Sequence, residues 1–304
     1  METGLKTSAG PLEFSVIVPT FNRPVQLGAC LAALAEQNVS ARYEVIVVDD
    51  GGEADVGSIV DRWKERMEVC CLRVKNGGPA AARNVGAATA KGKWLAFTDD
   101  DCVAAPQWLA ALKEAFENSP RSLLGGRTVN ALENNACAAA SQLIQDLAYT
   151  YYNSGPDGPS FFAANNMALP AEDFRLLGGF DHSFRTAEDR DLCDRWRLSG
   201  RRMAYVPEAL IRHHRPMQLV EFWRQHLSYG RGARRFQLAH RRRDHSRSTI
   251  RPDFYLWVLR ALPCLLRHQP RRLGILGLLA VWQAANLTGF LLEAVRRRDR
   301  HVAE

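Results

Sequence analysis

From residue 14 to residue 97 the chain alternates short β-branched runs with helical patterns, which restricts it to a parallel sheet covered by helices. Residues 14–19 read as a first strand and 24–36 as a helix. Residues 43–48 form a second strand, apolar almost throughout, as burial on both faces requires. A helix over 56–66, a third strand over 68–74, a helix from Gly77-Gly78-Pro79 to Ala90 and a fourth strand over 94–97 complete an open wound sheet. Such sheets bind ligands outside the carboxyl ends of their strands. The polar clusters fall there: Thr20 and Asn22 after the first strand, Asp49 and Asp50 after the second, and Asp99, Asp100 and Asp101 after the fourth.

Further along, a helix ends near Asn118, residues 123–126 are mixed, and residues 138–151 read as a helix. The run from Asn153 to Pro159 is a loop by composition. Residues 161–169 read as a strand, 188–198 as an amphipathic helix and 203–206 as a short strand stopped by Pro207, with a helical, Arg-rich region from Met217.

Three carboxylates at one strand end repel one another unless a cation sits between them; magnesium and manganese prefer such oxygen ligands and keep positions for phosphates. A solvated Asp-rich turn is the alternative for the triplet, and a plain turn for Asp49-Asp50-Gly51-Gly52. Asp49 and Asp50 are otherwise placed to accept hydrogen bonds from a nucleoside. Arg83 lies one turn into a helix and assists anion binding there, or forms a salt bridge. Trp108, just past the triplet, is the candidate stacking ring for a ligand, whereas Trp196 reads as core.

Four segments carry a resemblance: Ser15 to Asn22, Val45 to Gly51, Gly77 to Gly86 and Phe97 to Asp101 are similar, in order and spacing, to successive motifs of family 2 glycosyltransferases. Asn165-Asn166, Gly178 to Asp181, Glu188 to Leu192, and Pro207 through His213 resemble its acceptor-side half. The resemblance covers about residues 14 to 215. It implies a GT-A fold, a nucleotide-diphospho-sugar donor, a divalent cation (Mn or Mg) and inversion at the anomeric carbon. Pro19 and Thr20 would line the base pocket, with Asn22 and Arg83 on the donor and Asp50 on the nucleoside. Asp99 and Asp101 would be the DxD pair on the metal, with Asp100 on the sugar or ribose. His213 would complete the metal site, and Asp189 would be the general base, with Glu188, Asn166 and Trp108 on the acceptor side. A solvated pair in a basic loop is the alternative for His213-His214, and a favourable helix start for Glu188-Asp189.

Charge divides the chain. Residues 1–194 carry 17 Lys+Arg against 26 Asp+Glu, a balance of −9, and residues 195–304 carry 23 against 7, a balance of +16. All 23 are arginine, suited to phosphates or an anionic membrane surface. Seven cysteines without a CxxC pair point away from a disulfide framework and toward a reducing compartment. Residues 1–13 read as a polar lead rather than a signal peptide. The apolar stretches 254–266 and 273–295, bordered by arginine, fit attachment to a membrane surface better than a span, because Gln283, Asn286 and Glu293 interrupt the second.

The expectation is an α/β fold with a GT-A type wound, mostly parallel sheet flanked by helices, and a helical Arg-rich C-terminal extension. A nucleotide-binding half (14–120) and an acceptor half (121–215) precede a basic region (216–304). The expected function is transfer from a nucleotide-diphospho-sugar to a glycan or lipid-linked acceptor at the cytoplasmic face of the cell membrane. A sugar-nucleotide nucleotidyltransferase competes, but Pro19-Thr20-Phe21-Asn22-Arg23 stands where its Gly-rich loop belongs. A non-catalytic scaffold binding membrane or anions is the second rival, and the acidic front half argues against nucleic acid.

Overall fold

The computed structural model describes residues 10–132, 134–244, 252–266 and 272–302. Residues 1–9 of the expected lead, and Arg247, Arg251, Arg267 and Arg271 of the basic region, lie outside the described residues. Strands β1 (Phe14–Thr20), β2 (Tyr43–Asp49), β3 (Glu68–Arg73) and β4 (Trp94–Thr98) alternate with helices α1 (Pro24–Ala35), α2 (Val56–Asp61) and α3 (Pro79–Thr89). Then come β5 (Cys102–Ala104), α4 (Trp108–Asn118), β6 (Leu123–Asn130), α5 (Ala136–Asn153), β7 (Asn166–Pro170), α6 (Ala171–Leu176), α7 (Glu188–Leu198) and β8 (Met203–His213). Helices α8 (Leu219–Asp244), α9 (Pro252–Leu266) and α10 (Arg272–Val302) follow.

The strands form one sheet in the order β3-β2-β1-β4-β7-β6-β8-β5. The first four are parallel, and β7 joins antiparallel between β4 and β6. Successive side chains of a strand face opposite ways. Val16, Val18, Val45 and Val47 therefore share a core with Leu27, Leu31 and Leu34 of α1 and Leu109, Leu112 and Phe116 of α4. Ile17 and Val48 face the other way, toward α3. A Cβ at Gly86 would stand 2.6 Å from Ile17 Cγ2, so only glycine lets that helix lie so close.

Several elements depart from the sequence reading. The helix expected over 56–66 stops at Asp61 and continues as turns. The strand expected over 161–169 begins only at Asn166. Conversely, β8 runs on through Pro207 to His213, and its registered pairing with β5 uses residues 211–213, beyond the proline. A proline removes one ladder donor and does not by itself end a strand.

The chain divides into two compact units. The first comprises residues 1–129, 162–183 and 192–214 and holds the sheet core above; the second comprises 130–161, 184–191 and 215–304. The stretch 121–215 thus contributes to both. In the second unit, Leu143 and Leu147 of α5 share a core with Phe222 of α8, Val258 of α9 and Ile275, Leu279 and Trp282 of α10. Helices α8 and α10 cross where a Cβ on Gly230 would meet Asn286 O at 2.0 Å, and one on Gly289 would meet Leu227 O at the same distance. The outward side of α10 is also apolar, with Leu273, Leu276, Leu287 and Leu291 exposed. Leu273–Arg296 is long and apolar enough to cross a membrane, by length and composition only.

His226 of α8 is 1% exposed, stands with its ring 4.3 Å from Phe222 and 5.5 Å from Tyr229, and has no hydrogen-bond partner on either ring nitrogen. Burial, and to a lesser degree the Arg215 charge, push its pKa down from 6.5 to about 4. The folded state therefore holds the neutral ring. This stability is complete above the unfolded value of 6.5 and is lost as pH falls toward 4. Relative to His226→Phe, the wild-type protein loses about 3 kcal/mol of unfolding free energy from pH 7 to pH 4. Denaturant titrations of both proteins at several pH values measure it; parallel pH profiles would mean that the ring has a partner.

Candidate active site

The parallel register sets Thr20 beside Asp49, and β4 beside β1, so the loops leaving β1, β2 and β4 emerge at one edge. Asn22, in a left-handed conformation with φ of 55°, turns the chain out of β1. Its Oδ1 accepts hydrogen bonds from the Glu53 and Ala54 amides at 2.6 and 3.4 Å, tying the first two loops together. Asp50 is buried, and its carboxylate accepts from Gly77 N at 2.8 Å and Gly78 N at 2.9 Å. It therefore anchors the loop that starts α3.

Helix α3 carries Arg83, itself buried, whose Nη2 donates to Asp99 Oδ1 at 2.6 Å. Thr20 Oγ1 donates to Asp100 Oδ2 at 2.7 Å. Arg23 Nη1 reaches Asp100 Oδ1 at 3.1 Å and Asp101 Oδ2 at 2.8 Å, bridging two carboxylates. The sequence reading did not single out Arg23. It follows β1 in an irregular segment, and an arginine there carries no periodic signal; only its place beside the strand end pointed to the site. Burial opposes the Arg23 charge, but Asp101 and Asp100 outweigh it and raise its pKa. Burial pushes Asp100 up to about 6, against the pull of Arg23 and Thr20, and the other two aspartates add to the rise.

His213 arrives from the far end of the domain. Strand β5 pairs antiparallel with β8, Cys102 opposite His213. That register sets His213 Nε2 3.1 Å from Asp101 Oδ1, while the His214 amide donates to Asp101 O at 2.8 Å. Of the two histidines, then, His213 meets the carboxylate. Asp101, Cys102 and His213 each offer one ligand atom, all within 4.8 Å of one another.

Two candidates need correction. Trp108 is fully buried at the start of α4, and its indole Nε1–H donates to Asn166 Oδ1 at 2.9 Å. The Asn166 amide, also fully buried, donates to Arg127 O and Ala209 O at 3.1 and 2.9 Å. These residues join α4, β6, β7 and β8 inside the core and offer no face to a sugar. A tryptophan in the first turn of an amphipathic helix looks the same in sequence whether it turns in or out. Pro19 lies within buried β1.

In the second unit Ala187, at φ of 70°, holds a left-handed conformation costly for a residue with a Cβ, directly before α7. Glu188 is buried and Asp189 half-buried, in the first turn of that helix, and Asp189 Oδ1 accepts from the Arg190 amide at 2.7 Å. Arg190 lies 4.8 Å from the Tyr152 ring and 4.4 Å from the Phe236 ring, and fully buried Asp191 pairs with Arg243. Basic side chains of the Arg-rich region thus include one, Arg243, that fixes the turn bearing Asp189.

The wound sheet, its acidic edge and its flanking helices are the architecture of the GT-A glycosyltransferases. Among solved structures, the mannosyltransferase PcManGT of Pyrobaculum calidifontis superimposes with a TM-score of 0.61 at 21% identity, over 96% of this chain and 82% of that one. TarS 1–349 of S. aureus gives 0.54 at 17% identity, over 95% and 92%. The profile of glycosyl transferase family 2 matches residues 15–174, just over half the chain, and the protein belongs to that family. The chain is 28% identical over 214 residues to the hyaluronan synthase of Pasteurella multocida, covering 60% of this chain and 22% of that protein. It is 28% identical over 235 residues to the pre-mycofactocin glycosyltransferase of Mycobacterium tuberculosis (strain ATCC 25618 / H37Rv), covering 75% and 48%. The chain therefore spans less than half the length of either relative.

Proposed function

We propose that the protein is an inverting glycosyltransferase that moves a sugar from a nucleotide-diphospho-sugar to the hydroxyl of a glycan or lipid-linked acceptor, in polysaccharide, glycolipid or cell-envelope glycan synthesis. One observation carries the reading: three aspartates at the end of β4 stand among Thr20, Arg23, Arg83 and His213, a cluster of anions and cations at the edge where wound sheets bind nucleotides. Residues 14–215 form the catalytic domain in this reading, with 14–120 on the donor, 121–215 on the acceptor, and 216–304 as a basic extension.

Pro19 and Thr20 line the base pocket, with Asn22 shaping the loop beside it. Asp50 presents its remaining lone pairs to the nucleoside while holding Gly77 and Gly78. Asp99, Asp101 and His213 hold the divalent cation, and Asp100 meets the sugar or ribose. The donor set fits manganese or magnesium, since carboxylate oxygen and imidazole nitrogen lie 3.1 Å apart with the imidazole turned onto Asp101. Bound there, a divalent cation supplies charge neutralisation for the departing diphosphate. The PcManGT structure is a complex with GDP-Man and Mn2+, and TarS has been solved with UDP-GlcNAc, which supports a metal-assisted donor of this class.

Arg83 turns its guanidinium from Asp99 to the donor phosphates, adding fixed positive charge where negative charge develops. Asp189 accepts the proton of the acceptor hydroxyl as that oxygen attacks the anomeric carbon, so one displacement inverts the configuration. Glu188 lies on the acceptor side. The exposed leucines of α9 and α10, with neighbouring arginines, support attachment to an anionic membrane surface at the cytoplasmic face.

Thermal denaturation with a series of sugar nucleotides tests the donor assignment. One nucleotide class raises the melting temperature by about 2 to 8 °C at 100-fold excess over Kd, in manganese but not in EDTA. No stabilisation by any sugar nucleotide would remove the reading.

A further inference from the structure

We propose that Cys102 is a further protein ligand at the cation site, so that Asp101, His213 and Cys102 bind thiophilic divalent ions such as Zn2+, Cd2+ and Co2+ through one oxygen, one nitrogen and one sulfur, with Asp99 left on Arg83. The proposal rests on the reading of Asp101 and His213 as metal ligands, and adds to it a donor that oxygen-seeking ions leave unused.

The ladder makes the arrangement. Cys102 and His213 are direct cross-strand partners in the β5–β8 pair, and directly opposed residues of antiparallel strands project to the same face. Asp101 precedes the strand and brings Oδ1 to both: 3.1 Å from His213 Nε2 and 3.9 Å from Cys102 Sγ. All three ligand atoms lie within 4.8 Å of one another. A tetrahedral zinc with bonds of about 2.0 Å to oxygen and nitrogen and about 2.3 Å to sulfur needs donors roughly 3.3 to 3.6 Å apart. The oxygen–nitrogen edge nearly meets that, while the edges to sulfur, 3.9 Å from Asp101 Oδ1 and within 4.8 Å of the imidazole, must shorten on binding.

The other carboxylate oxygen of Asp101 is engaged by Arg23, so Oδ1 is the oxygen that faces the pair. Three protein donors leave a fourth position for water or a phosphate oxygen, the pattern of open rather than structural sites. Sulfur selects the ion. Manganese and magnesium take carboxylate, imidazole and phosphate and leave a buried thiol protonated. A thiophilic ion forms the metal–sulfur bond as the Sγ–H bond breaks, with one proton released to solvent per ion bound. The competing account is that Cys102, 1% exposed and within the sheet core, is a small apolar filler.

Titration of the full-length protein with Co2+ separates the two accounts without reference to turnover. Thiolate ligation adds a sulfur-to-cobalt charge-transfer band in the near ultraviolet to the weaker visible d–d bands. The wild-type protein shows both; Cys102→Ala loses the ultraviolet band and keeps the visible ones, with the other cysteines unchanged between the two proteins. Calorimetry gives Zn2+ affinity reduced about tenfold or more in Cys102→Ala, whereas Mn2+ affinity changes by less than about twofold. Matching melting curves in EDTA establish that the variant folds, and Cys102→Ser repeats the comparison with a similar volume. An ultraviolet band of equal strength in wild type and variant, or visible bands alone in the wild type, would overturn the role of Cys102 and leave the Asp101–His213 reading in place. Cobalt spectra unaltered by Asp101→Asn and His213→Ala would overturn that underlying reading instead.

Discussion

Asp101→Ala abolishes metal-dependent transfer, with a loss of about 10³-fold or more, because several kcal/mol of charge stabilisation at the leaving diphosphate go with the ligand. The fold survives the change. Asp101 stands in a crowd of three carboxylates, so its removal relieves repulsion, while Arg23 keeps its bond to Asp100 at 3.1 Å and the β5–β8 ladder keeps Cys102 opposite His213. Melting in EDTA is therefore close to wild type, whereas Mn2+ affinity measured by calorimetry collapses. Turnover at the wild-type rate, with an unaltered manganese requirement, would remove Asp101 from the site.

The second large effect lies in the other unit. Asp189→Asn lowers transfer by about 10²- to 10⁴-fold, the range a general base contributes, because an amide cannot take the acceptor proton. Donor affinity in calorimetry stays within about twofold of wild type, since no donor contact is assigned to Asp189. The substitution keeps the shape of the first turn of α7, where Oδ1 accepts from the Arg190 amide. Its surroundings stay fixed through Arg190, held between the Tyr152 and Phe236 rings, and through the Asp191–Arg243 pair. A parallel loss of donor affinity would assign Asp189 to binding rather than proton transfer.

Much of residues 14–120 was legible residue by residue. Strands β1 to β4 and the helices between them come within a few residues of the pattern read from β-branched runs and apolar periodicity, apart from the short α2. These signals are local: each needs only the burial of one segment against a neighbour. The acidic clusters were legible because they follow apolar strands directly. Arg23 was not, since a loop has no period and its two carboxylate partners lie 77 and 78 residues away. Strand β5 escaped because three residues are too few for an alternating pattern, yet it brings His213 to Asp101. Trp108 and Asn166 were misplaced because both sit where the chain turns from irregular to regular structure, and their inward rotation depends on each other.

The chain's own pattern determined a wound sheet with carboxylates at its strand ends, since alternation of strand and helix and the place of polar residues after apolar runs are properties of neighbours in sequence. Only the tertiary structure decided which histidine meets Asp101, which arginine bridges the aspartates, and that Arg243 holds the turn bearing Asp189. Those contacts join residues from 52 to 112 positions apart. Their geometry is set by strand register and helix packing, which arise when the whole core closes and leave no trace in any short window.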